Sequence, residues 1–284
     1  LDSLPEPEPF CWIQPHLKYK NMPRPVVITY RVFSSPAEVA KAAAELFTSS
    51  VVSAATARGT ARVAISGGTT PKAMFALLAD PAHPFVKEIP WDKLELFWVD
   101  ERCVGPDDAE SNYRMTREAL LSKVPLSADR IHRMEGELPP EEAAARYEAT
   151  IRNSFKLEGA ETPTFDLILL GMGDDGHTAS LFPHTEAINE MSHIVVANHV
   201  PQKDTWRITL TWPVINQGRE VAFLIEGTGK ANVLHEVLQG PYQPDTYPSQ
   251  IIRPASGKLT LLLDAAAAAK LPEPTNGIGT LELN

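Results

Sequence analysis

Residues 165–183 read FDLILLGMGDDGHTASLFP, and no other stretch restricts the fold as much. Leu167, Ile168, Leu169 and Leu170 make an apolar run too short for a core helix and without the alternation of a half-exposed strand. That is the pattern of a strand buried on both faces, which belongs to a parallel sheet covered by helices. Gly171, Gly173 and Gly176 then punctuate a turn carrying Asp174, Asp175 and His177. In open parallel sheets ligands bind beyond the carboxyl ends of the strands. A titratable cluster at that place is expected to face a cleft. A lone DG turn also reads as a tight turn with solvated acids, so the rest of the chain has to decide.

Strand-like and helix-like runs alternate along the whole length. Residues 26–33 are rich in β-branched side chains. Ser35, Pro36 and Glu38 then make a helix start with a capping box, and Gly59 stops that helix. Strands are expected at 62–66, 94–99, 193–197, 206–211, 220–225 and 258–263. Helices are expected at 72–79, from 111 to 124, from 139 to about 155, and up to Leu238. Asp264 and the alanine run after it read as a closing helix. Such alternation implies parallel βαβ units: an α/β, three-layer αβα sandwich around a mostly parallel, Rossmann-like sheet. Residues 1–25 hold six prolines and little periodicity, so they read as an arm preceding a single α/β domain over 26–284. The proline-rich segment 241–254 reads as a surface loop.

Composition narrows the partners. No apolar run approaches the roughly 18 residues a membrane span needs. The acidic, proline-rich residues 1–9 are not expected to act as a signal peptide. A net charge of −10 repels nucleic acid and anionic membrane, so neither is an expected partner. Cys11 and Cys103 form no CxxC and no metal spacing. A reducing, cytoplasmic setting with no disulfide between them is expected.

SGGTTP at 66–71 joins a strand to a helix. Gly67 and Gly68 let backbone N–H groups approach an anion, Ser66 and Thr69 add hydroxyl donors, and the helix start adds partial positive charge. This is a candidate phosphate cradle. Asp100, Glu101 and Arg102 end a strand facing the same cleft. Arg207 shares a strand face with Thr209 and Thr211. Lys230 stands near a helix start, where a free cation is disfavoured and a bound anion would offset the cost. GMGDDG matches GxGxxG, but Pro183 follows too soon for a dinucleotide-binding helix and no acid ends the next strand. GTGK lacks the upstream glycine of a P-loop, with Leu224 in its place and Ala231 where Ser or Thr belongs. His177 has no partner histidine at helical spacing, and His184 and His199 are scattered, so no metal is expected. A phosphate cradle, two cations and an acid–imidazole pair together point to an enzyme acting on a phosphorylated small molecule, without metal, nucleotide or other cofactor.

SGGTTP at 66–71, DERCV at 100–104, SNYRM at 111–115, GMGDDGHTASLFP at 171–183, RITLT at 207–211, GTGKA at 227–231 and SGKLTLLLD at 256–264 resemble the 6-phosphogluconolactonase family. They occur in that family's order and span roughly residues 26–270. The resemblance implies the fold shared with glucosamine-6-phosphate deaminase and related to ribose-5-phosphate isomerase. It also implies hydrolysis of 6-phospho-D-glucono-1,5-lactone to 6-phospho-D-gluconate in the oxidative pentose phosphate pathway. The deaminase motif DGHIAFNEP carries a glutamate where Phe182 stands here, and the deaminase's DEY is Asp100-Glu101-Arg102. Leu262 departs from the lactonase pattern, which commonly has tryptophan there, and is expected to affect packing only.

Residue by residue, the resemblance implies a phosphate anchored on Ser66, Gly67, Gly68 and Thr69, neutralised by Lys230 and Arg207. His177 is the expected general base and Asp175 its orienting partner. Arg102 is expected to stabilise the developing oxyanion, and Asp100 to hold a sugar hydroxyl or position Arg102. Asp174 is expected to face solvent. The expected partner is a small-molecule sugar phosphate lactone, and the chain is expected to work as a monomer or weak homodimer. A glucosamine-6-phosphate deaminase/isomerase-like enzyme and a non-catalytic sugar-phosphate-binding protein stay open as alternatives.

Overall fold

A computed structural model of the chain describes residues 26–255, 257–275 and 277–283. The arm at 1–25 lies outside the described residues, and with it Cys11 and any pairing with Cys103. In chain order the strands and α-helices are β1 (Val26–Phe33), α1 (Pro36–Arg58), β2 (Ala61–Ile65), α2 (Thr69–Ala79), α3 (Phe85–Glu88), β3 (Leu94–Trp98), β4 (Asp100–Arg102), α4 (Asn112–Thr116), β5 (Ile131–His132), α5 (Pro140–Phe155), β6 (Leu167–Leu170), β7 (Val195–Val200), β8 (Thr205–Leu210), α6 (Trp212–Ile215), β9 (Glu220–Ile225), α7 (Ala231–Gln239), β10 (Lys258–Asp264) and β11 (Ile278–Leu283).

The apolar run Leu167–Leu170 is β6 and is buried at every position. It sits inside an eight-stranded sheet of order β11-β1-β10-β9-β6-β2-β3-β5. All neighbours in this sheet are parallel except β11, which runs antiparallel along β1. Helices flank the sheet, so the layered α/β arrangement is the one expected. The strand order reverses between β2 and β6: from β2 the chain proceeds to β3 and β5 on one side, and from β6 to β9 and β10 on the other. A crevice opens at such a switch point.

Local signals place α1 well. The Ser35 hydroxyl accepts from the Glu38 N–H, and Gly59 ends the helix with φ 78°, its N–H bonded to the Ala55 carbonyl. The Glu38 carboxylate reaches back one residue further than a capping box requires, to the N–H and hydroxyl of Ser34. Buried Val39, Ala43, Phe47 and Val51 face the sheet, and the small alanines between them let the helix lie close.

Four expectations need correction. First, not every strand joins the parallel sheet: β4, β8 and β7 form a separate three-stranded antiparallel sheet. The chain crosses between sheets at Val99, whose N–H bonds Ile65 of the first and whose carbonyl receives Leu210 of the second. Second, the alanine run after Asp264 is a set of turns, not a helix. The Asp264 carboxylate accepts from the Ala267 N–H at 2.7 Å and from the Gly227 N–H, which fixes a compact turn in place of helix propagation, and β11 follows. Third, the helix expected from 111 to 124 is only α4 and a π-helical turn, Arg117–Leu121. Pro125 disfavours helical geometry at Val124, so the helix stops short. Fourth, β7 begins two residues later than expected, because the N–H groups of Ile194 and Val195 bond the Glu148 side chain on α5.

Candidate active site

A cleft of about 500 Å³ lies over the carboxyl ends of β9, β6 and β2. The turn after β2 supplies one wall. Gly68 takes φ 117°, and α2 starts from it with no side chain capping its first N–H groups. A Cβ on Gly67 would lie 1.8 Å from Asn112 Oδ1, so that position is held bare by a neighbour from α4. The Ser66 hydroxyl lines the cleft, is buried, and has no hydrogen-bond partner. These are unspent donors around a helix start, the arrangement that favours an anion.

The loop after β6 supplies the reactive pair. It folds on itself: the Gly173 N–H bonds the His177 carbonyl at 2.8 Å, and the Gly176 N–H bonds the Gly173 carbonyl. His177 Nδ1 lies 2.5 Å from Asp175 Oδ1, and the His177 N–H donates to the same oxygen. An imidazole that donates from Nδ1 keeps its lone pair on Nε2, on a ring that lines the cleft. Phe182 stacks on that ring with centroids 4.0 Å apart. Burial alone would raise the Asp175 carboxyl; the hydrogen bond and charge of His177 outweigh it and hold the group at about 2. A Cβ at Gly173 would lie 2.0 Å from His177 Nδ1, so the pair rests directly on bare backbone.

The second sheet delivers β4. Asp100 is buried, lines the cleft, and accepts from Ser180 Oγ at 2.7 Å and from Asn112 Nδ2 at 3.4 Å. Arg102 also lines the cleft, and its guanidinium donates to the Glu110 carbonyl. Glu101 does not pair with that guanidinium. It accepts from the backbone N–H groups of Arg102, Asn112 and Tyr113 and from the Ser111 hydroxyl, so it anchors the start of α4.

Lys230 enters from the turn before α7 and lines the cleft. It is not the isolated cation expected: its ammonium pairs with the Asp174 carboxylate, itself 81% exposed. Asp174 thus faces solvent and holds a partner at once. Arg207 stands apart from the cleft wall. It sits in mid-β8 opposite Arg102, with its guanidinium turned to Thr205 Oγ1 and the Trp206 carbonyl. Burial, then the nearby Arg102 charge, push the Arg207 group down from its ordinary value. The cleft therefore gathers Ser66, Gly67, Gly68, Thr69, Asp100, Arg102, His177 and Lys230, flanks His177 with Asp175, and leaves Arg207 behind. Sequence reasoning missed Asn112 as a wall residue, and missed Glu226 and Asp264, which also line it. The available signal for the last two was an acid at the carboxyl end of a buried strand.

A mostly parallel α/β fold with a polar cleft at its switch point defines a class of small-ligand-binding scaffolds, and the comparisons place the chain within one family of it. The chain matches the family model described as glucosamine-6-phosphate isomerases/6-phosphogluconolactonase over residues 34–261, and it belongs to that family. A 6-phosphogluconolactonase of Synechocystis sp. is 40% identical over 225 residues, covering 79% of this chain and 90% of that protein. The solved 6-phosphogluconolactonase of Trypanosoma cruzi superposes with a TM-score of 0.75 at 32% identity, covering 87% of this chain and 97% of that one. A monomeric glucosamine-6-phosphate deaminase superposes with a TM-score of 0.70 at 19% identity, covering 85% of this chain and 99% of that one, a likeness of fold alone.

Proposed function

We propose that this chain hydrolyses 6-phospho-D-glucono-1,5-lactone to 6-phospho-D-gluconate, the lactonase step of the oxidative pentose phosphate pathway. The observation that carries the mechanism is the His177–Asp175 pair facing the same cleft as Lys230 and the bare start of α2. The phosphate rests on the backbone of residues 66–69 and takes Lys230 as its counter-ion. Anchoring there holds the lactone carbonyl near the imidazole and supplies the proximity contribution. His177 Nε2 takes a proton from the attacking water as its oxygen bonds C1. The resulting tetrahedral centre expels the ring oxygen, which receives that proton from the imidazolium. Asp175 keeps the ring in the tautomer this needs and stabilises its charged form. With Arg207 behind the wall, Arg102 is the other cation placed to share the charge of the dianion and of the developing oxyanion. Asp100, both oxygens engaged, positions Ser180 and Asn112 and leaves acceptor capacity for a sugar hydroxyl.

Phe182 supports this reading over the deaminase alternative, because a stacked phenyl ring cannot relay a ring-opening proton. We read the setting as cytoplasmic and the working unit as a monomer or weak homodimer. Among the described residues no helix is long and apolar enough to cross a membrane.

The test generates 6-phosphogluconolactone in situ from glucose 6-phosphate and follows its loss, with spontaneous hydrolysis subtracted. Acceleration by the wild-type chain is the expected result. No acceleration would sink the reading and direct attention to ammonia release from glucosamine 6-phosphate.

A further inference from the structure

The cleft contains an acid that the mechanism does not use. Glu226 follows β9 directly, and β9 lies beside β6, so its side chain reaches the wall next to Gly227. One carboxyl oxygen, Oε1, is buried and has no hydrogen-bond partner. Thr70, the second residue of α2, lines the same part of the cleft. A carboxyl group therefore stands at the helix start that the phosphate itself needs.

Its surroundings do not suit an ionised acid. From β10 comes Asp264, a second carboxylate, already bonded to the N–H groups of Gly227 and Ala267. From the turn before α7 comes Lys230, whose ammonium is taken by Asp174. The β6 loop brings His177, paired with Asp175, and β4 brings Arg102, bonded to Glu110, together with buried Asp100. Among the described residues none of these cations is bonded to Glu226. Burial, opposed by the nearby Thr70 hydroxyl and reinforced by the Asp264 charge, raises the Glu226 carboxyl above its ordinary value. An ionised carboxylate here would also repel a dianion at contact distance, whereas a neutral acid offers an O–H donor to it.

We propose that Glu226 is a specificity residue of the phosphate site: its carboxyl group meets the bound phosphate as a neutral acid and donates a hydrogen bond to it, so that at any pH where the free site ionises it, phosphate binding draws one proton into the cleft. This rests on the start of α2 and Lys230 being the phosphate site. The proton comes from solvent and returns to it when product leaves. Phosphate monoesters are thereby preferred over anions that cannot accept so close a donor, and affinity declines as pH rises.

Sulfate is the probe, because it stays a dianion throughout and contributes no titration of its own. Calorimetric titration of the full chain with sulfate, at several pH values and in buffers of different ionisation heat, counts protons taken up per ion bound. Above the Glu226 titration the wild type should take up about one proton more than Glu226→Gln, and its affinity should fall about tenfold more per pH unit. Glu226→Ala is the second variant, in case the first fails to fold, and should match it in proton count. Equal proton uptake in wild type and variants would overturn the proposal while leaving the phosphate site intact. Absence of sulfate binding by the wild type at every pH would overturn the phosphate site itself, and this inference with it.

Discussion

Two carboxylate–imidazole pairs in this molecule look alike and differ in every consequence. At the sheet edge, His132 of β5 lies 3.3 Å from Glu95 of β3 and stacks on Phe97 with centroids 4.4 Å apart. In the cleft, His177 lies 2.5 Å from Asp175 and stacks on Phe182 at 4.0 Å. Both acids are held at about 2. The difference is what else each acid meets. Glu95 also receives the Ser154 hydroxyl and lies 3.6 Å from the Arg62 guanidinium, so its charge is answered several times over. Asp175 has His177 alone, on a loop built of glycines at the carboxyl edge of the sheet. A pair whose charges are fully answered ties β3, β5 and α5 together. A pair left with one free lone pair, in front of a cleft, is available for proton transfer.

The contrast breaks most visibly in turnover. His177→Ala should lower kcat in the lactone assay by roughly 10²–10⁴, the range for loss of a general base. His132→Ala should leave kcat within about twofold and lower the melting temperature instead. Equal losses in both would dissolve the distinction. Next comes Gly173→Ala, which leaves both members of the cleft pair in place but inserts a methyl where no room exists; steady-state kinetics should show kcat falling about 10²-fold with the fold intact by circular dichroism.

Acid unfolding sharpens the comparison further. For Glu95 burial favours the neutral form, but the His132 imidazole beside it, the Ser154 hydrogen bond and the Arg62 charge prevail, and the folded value lies below the ordinary 4.5. A depressed carboxyl contributes stability that is present above the unfolded value and is lost as pH falls through the folded one. The loss should therefore run from about pH 4.5 down to about pH 2. Denaturant titrations of Glu95→Gln should show that acid slope flattened by on the order of 2 kcal/mol. Asp175→Asn should flatten it less, because that side chain is 46% exposed and screened by water. The smallest effect concerns Asp174, which competes with a substrate phosphate for Lys230. Asp174→Asn should lower KM about twofold to fivefold at unchanged kcat, the worth of an exposed ion pair; a raised KM would mean that Asp174 holds Lys230 in place for the substrate.

What could be read from the chain beforehand follows from how local each cause is. Ser35, Pro36, Glu38 and Gly59 define α1 through bonds within a few residues. The apolar runs of β6 and β9 announce burial by themselves. The antiparallel sheet was hidden because β4 has only three residues and its partners lie far along the chain. The alanine run misled because helix propensity is intrinsic, whereas the bonds from Asp264 to Ala267 and Gly227 depend on which strand ends are neighbours. The same divide runs through the cleft. Asp175 and His177 are two residues apart and share one turn, so their meeting could be read directly. The reach of Asp174 to Lys230 and of Asn112 to Asp100, the placing of Glu226 in the cleft wall, and the retreat of Arg207 are settled by strand order and by sheet membership.

The adjacency of β2 and β6 makes the cleft a gauge of length. Ala64 pairs with Ile168, and the two turns that carry Gly67 and Gly171 begin just beyond that pair. The anion turn and the base loop therefore leave neighbouring strands, whose spacing of about 4.8 Å is set by a ladder of backbone hydrogen bonds. Side-chain substitutions can retune either end without altering the interval. A ligand is measured by the span between its phosphate and its carbonyl, and one whose arm is a carbon longer or shorter presents the wrong atom to the imidazole however well its charge is received.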